Sequence, residues 1–511
     1  MRKLVSLLMA LVMLLGIVPA ALADAYTLDI YWVGAGDNPD NPLAPGVAEA
    51  ISEYIEPLIG AKVVFHIVPW DDWEEDAVNR LKADPYGMEN KIDLIFTADW
   101  EFYGDLVASG VLIPLGDQLD RNGKEILSTL SESFLNGVKI NGQIYGIPTN
   151  KELCVPMGFL VNKTAADAIG WDLEKDPVTC TADLEPWLAK YKEIYPDKYP
   201  YLMDTGSVVG RWADEPWIND WSGLENNAVA MRMAKLEDGS FDETVYSIFE
   251  TPEQEAHIRL MYDWVQKGYI DPETINYTDE GHGIFGRGDF LVYTQPLKGN
   301  SIKAVEMYTQ HHPADAPEWE CTEIILQPRY IVTAHTAGSM FSIPTASWDP
   351  DKAMKFLNLM HSDETLVNLM LYGVEGVNYT RLDGRRVALV PDAAWYNVHA
   401  GAWTVGDVRL QYVLADEDPE KNDKLIAFAD GVDPTVCLGF RLNLRKEYAE
   451  KGAAVSKVVR EYANPLMCGI VDPDDPEKGI EAMKSALKEA GIDDVVAEAA
   501  RQYEAWKAAQ Q

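Results

Sequence analysis

Along the first hundred residues the period of the hydrophobic positions changes again and again. TLDIYWV, starting at Thr27, alternates apolar and polar side chains, the two-residue period of a strand, and runs into the turn formers GAGDNP. AEAISEYIEPLIG then repeats its apolar residues at helical spacing up to a glycine stop, Gly60. AKVVFHIVPW is a second strand, DDWEEDAVNRLKA opens a helix on acidic residues, and DLIFTADW is a third strand. Three strand and helix alternations within about 90 residues predict a parallel sheet with helices on its faces. In such sheets the loops at the carboxyl ends of the strands line the ligand crevice.

Each of these strands carries a tryptophan at or near its exit: Trp32, Trp70 and Trp100. A single ring there caps the sheet under its own helix as readily as it faces the crevice. Three in succession favour a shared site. The third exit is the richest, with Asp99, Trp100, Phe102 and Tyr103 where the strand turns towards a helix.

Farther on, Asn141-Gly142 turns the chain into a strand, Gly146-Ile147-Pro148 interrupts it, and MGFLVNK opens a second alternating region, the pattern of a crossing between lobes. That region holds an amphipathic helix with Ile258, Met261, Tyr262 and Val265 at helical spacing. SMFSIPTASWDPDKAMKFLNLMHSDETLVNLMLYG reads as strand, turn and two helices, and the chain from Glu447 is charged helix broken at VDPDDPEKG. No internal repeat is visible.

With 511 residues the chain exceeds what one core supports, so two lobes are expected. Its first residues stand apart. Arg2 and Lys3, the apolar run Leu4 to Val18 and the small residues Ala21-Leu22-Ala23 make a signal peptide, residues 1–23, with cleavage after Ala23. The run is short for a membrane anchor, and no cysteine follows it to carry a lipid. An exported protein is expected: extracellular, associated with the cell surface, or periplasmic. The net charge of −39 repels phosphate backbones and anionic headgroups, which speaks against nucleic acid as a partner. Five scattered cysteines and eight histidines show no zinc-ligand spacing, and neither GxSxG nor GxxxxGK[ST] occurs.

Several segments in this order resemble the family 1 extracellular solute-binding proteins, the ligand-capturing subunits of ABC importers that include maltose-binding proteins. They are DLIFTADWEFYGDLVASGVLIPLGD, NGQIYGIPTNKE leading to GFLVNK, GIFGRGDFLVYTQP, SIPTASWDPDKAMKFLNLMHSDE and LYGVEGVNY. WVQKGYID and the stretch from Val471 to Trp506 are similar to the larger members, which carry an extra C-terminal region. The resemblance implies an α/β fold of two lobes joined by hinge-crossing strands. Residues 24–148 and 330–372 would form the N-lobe, 149–329 and 373–446 the C-lobe, and 447–511 a helical region packed on the C-lobe. It also implies a carbohydrate ligand, an oligosaccharide held between the lobes, delivery to permease subunits, no cofactor or metal, and no chemistry of its own. A monomer is expected.

Sugar C–H faces lie well on aromatic rings, and sugar hydroxyls need side chains that donate and accept. The candidate contacts are Trp32, Trp70, Asp99, Trp100 and Tyr103 from the first lobe, with Asn150 and Glu152 at the crossing. Trp212, Tyr293, Gln295, Glu375, Asn378 and Trp403 complete the set from the rest of the chain. Relatives often have a Gly-Asn-Gln segment near the last of these, where this chain has Gly406-Asp407-Val408. Two alternatives stand beside this reading. One is a peptide-binding importer subunit, with Arg211 or Lys151 meeting the peptide carboxylate. The other is a secreted glycosidase, which needs two carboxylates at a set separation that sequence does not give.

Overall fold

The computed structural model describes residues 25–34, 46–203, 212–218, 221–233, 235–277, 280–391 and 402–510. The expected signal peptide and Arg211 lie outside the described residues. Among those described, no helix is long and apolar enough to cross a membrane.

The strands of the two larger sheets are, in chain order, β1 (Tyr26–Val33), β2 (Ala61–Val68), β3 (Leu94–Thr97), β4 (Gly146–Pro148), β5 (Met157–Asn162), β6 (Tyr201–Leu202), β7 (Val292–Pro296), β8 (Cys321–Ile325) and β9 (Met340–Ser342). The first sheet has the order β2-β1-β3-β9-β4. Its expected parallel part is β2-β1-β3, with Tyr26 opposite Ala61 and Val33 opposite Val68. The other side is antiparallel, because β4 carries the chain out of this unit and β9 carries it back. The second sheet, β8-β5-β7-β6, is built around β5, whose six residues are all buried.

Helix Val47–Ile59 buries Val47, Ile51 and Ile55 and ends at Gly60, whose positive φ of 67° lets its N–H reach back to the Glu56 carbonyl. Aspartates cap the helices Pro350–Met360 and Glu364–Tyr372. DDWEED departs from the expected plain helix. It forms a 3-10 turn at Trp70–Asp72 and a π-helical turn at Glu74–Asn79, with regular helix only at Arg80–Ala83. The widened turn keeps Trp73, Ala77 and Val78 in the core while Trp70 stays partly in solvent.

One core lies around the first sheet, and its members include Tyr379, Val387, Val405 and Tyr412. Residues 373–446 are expected in the C-lobe; of these, 379–391 and 402–412 contribute to the core of the first sheet, where the Tyr372 hydroxyl donates to the Tyr412 carbonyl (2.9 Å). A second core joins residues 217–258 to the C-terminal helices Glu447–Val458, Ile480–Ala490 and Ile492–Gln510.

At the crossing, Thr149 N–H donates to the Ser339 carbonyl (2.9 Å) and Asn150 N–H to the Gly406 carbonyl (2.8 Å). A chain of buried ion pairs follows. Lys151 meets Glu152 at 2.9 Å, Lys298 lies between Glu152 (3.7 Å) and Glu306 (3.0 Å), and Lys421 lies between Glu306 (3.5 Å) and Glu417 (2.7 Å). Burial alone would push the Glu152 carboxyl up, but Lys151 and Lys298 outweigh it and hold it well below the ordinary carboxylate range.

Two stability predictions follow from this geometry. A Cβ on Gly406, which has φ +53°, would sit 1.9 Å from the Met360 carbonyl oxygen. Gly406→Ala should therefore cost at least about 2 kcal/mol in urea unfolding. Glu152→Gln takes the carboxylate from the buried Lys151 ammonium and leaves Lys298 with Glu306 alone, and should cost about 3 kcal/mol at pH 7. Because the folded Glu152 pKa is depressed, its contribution is present above the unfolded value of about 4.3 and is lost as pH falls towards the folded one. The gap between parent and Glu152→Gln should accordingly narrow in that window, and a gap independent of pH would contradict the ion-pair account.

Candidate functional site

Where β3 ends, the chain reverses in a tight turn. Ala98 N–H donates to the Glu101 carbonyl (3.2 Å) and Glu101 N–H returns to the Ala98 carbonyl (2.9 Å). Asp99 and Trp100, between them, are pushed outward. Phe102 pays for the reversal with φ 56°, a left-handed conformation that costs a bulky residue about 1 kcal/mol or more. Two further bonds pin the turn: Asp99 N–H to the Ala337 carbonyl (2.8 Å) and Trp100 Nε1 to the Gly338 carbonyl (2.9 Å).

Three indoles gather on this turn. Trp70, from the exit of β2, lies 5.5 Å from Trp100 between ring centroids, and Trp403 lies 6.4 Å from Trp70 with planes 8° apart. Trp100 and Trp403 are 6.2 Å apart, and Phe96 stands edge-on beneath at 5.8 Å from Trp403. These are contact spacings, so the rings touch one another and offer their outer faces. Trp100 is 54% and Trp70 38% exposed, a large apolar surface to leave in water.

Beside the rings lies a cavity of about 530 Å³ with Asp71, Glu74, Asp99, Glu101 and Asp105 in its wall. Two of these acids have partners: Arg441 on Asp99 and Lys82 on Asp105. Partial burial and the nearby Glu74 charge push the Glu101 carboxyl up. The arrangement can stack a flat apolar face and take hydrogen bonds from hydroxyls along one edge. Among the described residues no group of three or more His, Cys, Asp or Glu could hold a metal ion.

The structure therefore brings Trp70, Asp99, Trp100 and Trp403 together, and Trp403 comes from a segment packed on the first sheet, not from the second lobe as expected. The structure places the other candidates elsewhere. Trp32 is 2% exposed, lies within β1, and donates from Nε1 to Thr404 Oγ1 (2.9 Å), so it braces the segment carrying Trp403. Tyr103 is buried, and its hydroxyl donates to the Val138 carbonyl (2.6 Å). Glu152 belongs to the buried ion chain, and Asn150 is buried with its backbone bonded to Gly406 and Val408. Tyr293 and Gln295 are buried in β7. Asn378 turns its Oδ1 back to Val374 N–H (2.9 Å), which makes it a turn residue, and Glu375 stands exposed 3.9 Å from Arg381. Trp212 is half-buried on His257 (4.4 Å between rings), away from the indole cluster.

Sequence reasoning missed Phe96, Glu101, Asp105 and, above all, Arg441. Glu74 and Asp71 were visible in DDWEED but read as acids of a helix start. Arg441, distant along the chain from Asp99, left no local signal.

Comparison with known proteins places this geometry. The family model for bacterial extracellular solute-binding proteins matches residues 68–378, and a model for a domain of unknown function matches residues 436–508. A carbohydrate ABC transporter substrate-binding protein of Streptococcus pneumoniae serotype 4 (strain ATCC BAA-334 / TIGR4) is 25% identical over 476 residues, 92% of this chain and 89% of the relative. The crystal structure of the N-glycan transport solute binding protein (NgtS) from Streptococcus pneumoniae superposes with a TM-score of 0.77 at 21% identity, covering 95% of this chain and 100% of that one. Its complex with Man5GlcNAc superposes at 0.66 and 20% identity, covering 95% and 99%. The fold is thus the two-lobed α/β fold of these binders, and since the solute-binding family model spans more than half of its length, the chain belongs to the bacterial extracellular solute-binding protein family.

Proposed function

We propose that this protein captures an oligosaccharide between its two lobes and hands it to the permease of an ABC importer, without chemistry of its own. The observation that carries the reading is the platform of Trp70, Trp100 and Trp403, held partly in water beside a wall of five carboxylates, of which Asp71, Glu74 and Glu101 have no ion-pair partner among the described residues. A sugar ring can stack on such a surface while its hydroxyls donate to Glu74 or Glu101. The relatives named for carbohydrate and N-glycan transport support the same ligand class.

In this reading the N-lobe is the unit around the first sheet, residues 24–148 and 330–372 together with 379–391 and 402–412. The C-lobe holds 149–329 with the C-terminal helices. The protein works outside the cytoplasmic membrane as a monomer, its leader removed. The ligand is neutral: the acids in the cleft wall outnumber the two cations that pair with them, so uronic or sialic acid units are repelled.

A thermal-shift panel tests this directly, because a ligand that binds only the native state raises its stability, by about 2.7 kcal/mol at a hundredfold excess over Kd. Neutral oligosaccharides should raise the melting temperature, while peptides and oligouronides should not; a rise with peptides alone would overturn the sugar reading. Release of monosaccharide from any bound oligosaccharide would point to an enzyme instead. Trp100→Ala should weaken oligosaccharide binding in calorimetry by about 10- to 100-fold, or roughly 1.4–2.8 kcal/mol, with an unchanged circular dichroism spectrum. Trp32→Ala should act mainly on stability, lowering it by roughly 3–5 kcal/mol as a core indole is lost, with a smaller loss of affinity than Trp100→Ala, because it frees only the segment carrying Trp403.

A further inference from the structure

The C-terminal stretch matched at residues 436–508 by a model of unknown function has no assigned role, yet one of its side chains reaches Asp99 in the cavity wall. We propose that this region is a working part of the ligand site and that Arg441 is its positioning residue, fixing the Asp99 carboxylate in the cleft wall. The inference rests on the cleft being the ligand site.

The Arg441 guanidinium is fully committed to the first lobe. Its Nε donates to Asp99 Oδ1, its Nη2 to the Gly137 carbonyl (2.8 Å) and its Nη1 to the Lys139 carbonyl (3.1 Å), and it lies 5.8 Å from the centre of the buried Tyr103 ring. The two charged side chains are 15% and 12% exposed, so the pair is largely shielded from solvent. A charge-assisted bond in that setting, backed by two carbonyls that fix the guanidinium plane, holds the carboxylate in one orientation. Without Arg441, Asp99 would sit on a two-residue turn with no cation to orient it.

The backbone of Arg441 belongs elsewhere. Its neighbour Phe440 is in the core of the C-terminal helices, 5.4 Å from Tyr503, 5.8 Å from Trp506 and 5.2 Å from Trp221. Leu442 N–H donates to the Trp221 carbonyl (2.9 Å). On the other side, Thr435 N–H donates to the Ile331 carbonyl (2.9 Å) and Gly439 N–H to Thr333 Oγ1 (2.9 Å). Residues 433–442 are therefore a strap whose two ends are fixed to different cores, and Arg441 is the point at which it touches the ligand wall. How the C-terminal helices pack decides where the strap lies, and hence where Asp99 points.

The test uses the full chain with Arg441→Met, Arg441→Lys, Asp99→Asn and the Arg441→Met/Asp99→Asn double variant. In the ligand-free protein, hydrogen exchange of peptides covering 97–105 and 134–141 should speed up about tenfold in Arg441→Met, with peptides from 480–510 unchanged. Arg441→Lys should restore most of the protection, and the double variant should exchange no faster than the single ones, since both remove one interaction. With Man5GlcNAc as the probe, affinity should fall about tenfold in Arg441→Met. Unchanged exchange at the cleft would overturn the proposal, as would loosening spread evenly through 447–510, which marks a merely structural residue. Should Man5GlcNAc fail to bind the parent protein, the choice of ligand fails, while the exchange measurement still decides the role of Arg441.

Discussion

Seven residues, Thr333–Ser339, hold the molecule's working parts together. Ala337 takes the Asp99 amide, Gly338 takes the Trp100 indole, Ser339 takes the first amide of the lobe crossing, and Thr333 takes the amide of Gly439 from the strap. The stretch is closely packed where it meets Gly137: a Cβ there would lie 1.9 Å from Thr336 Oγ1. Indoles left in water would otherwise collapse onto the nearest apolar surface. Here backbone carbonyls in a fixed position determine where Trp100 stands, and Trp70 and Trp403 pack against it.

The charges sort into two environments with opposite purposes. Around the crossing Glu152, Glu306 and Glu417 each have a lysine beside them, and the Glu152 carboxyl is held down as a result. Such a chain is expensive to break and adds little net stability over apolar packing, so its value lies in fixing how the crossing segments meet. In the cavity wall the balance is left open: partial burial and the Glu74 charge push the Glu101 carboxyl up, and among the described residues no cation pairs with it. A carboxyl with no internal partner is the one able to accept a bond from outside.

Much of this was legible in the sequence. The changes of hydrophobic period marked the strands and helices of the first sheet, because burial there follows local spacing. The site was only half legible, and the tryptophans show why. Trp70 and Trp100 lie beyond the last ladder residues of β2 and β3, where the chain is free to aim a side chain outward. Trp32 lies inside β1, opposite Ile67, where pairing dictates which face its side chain takes, and that face is the core. Tyr103 and Glu152 deceived for another reason. A polar tip on a large body looks like a ligand contact, but Val138 and Lys151 satisfy those tips inside the protein. Arg441 could not be found at all, since its partner is set by the packing of helices far along the chain.

That the indole platform sits on one lobe also limits what it can do. A surface that grips the ligand equally in the open and closed arrangements supplies affinity without shifting the balance between them. Closure must draw on contacts made only when the second lobe arrives. Of the contacts expected from that lobe, Tyr293 is packed among Phe285 and Phe290, but two differ from it. Trp212 is half-buried, and Gln295 keeps a buried Nε2 without a partner among the described residues. A buried donor left unpaired costs about 1–3 kcal/mol, so an arrangement that pairs it is favoured by a comparable amount. The strap through Arg441 is fixed to the cores of both units, by Ile331 and Thr333 on one side and by Phe440 and Leu442 on the other.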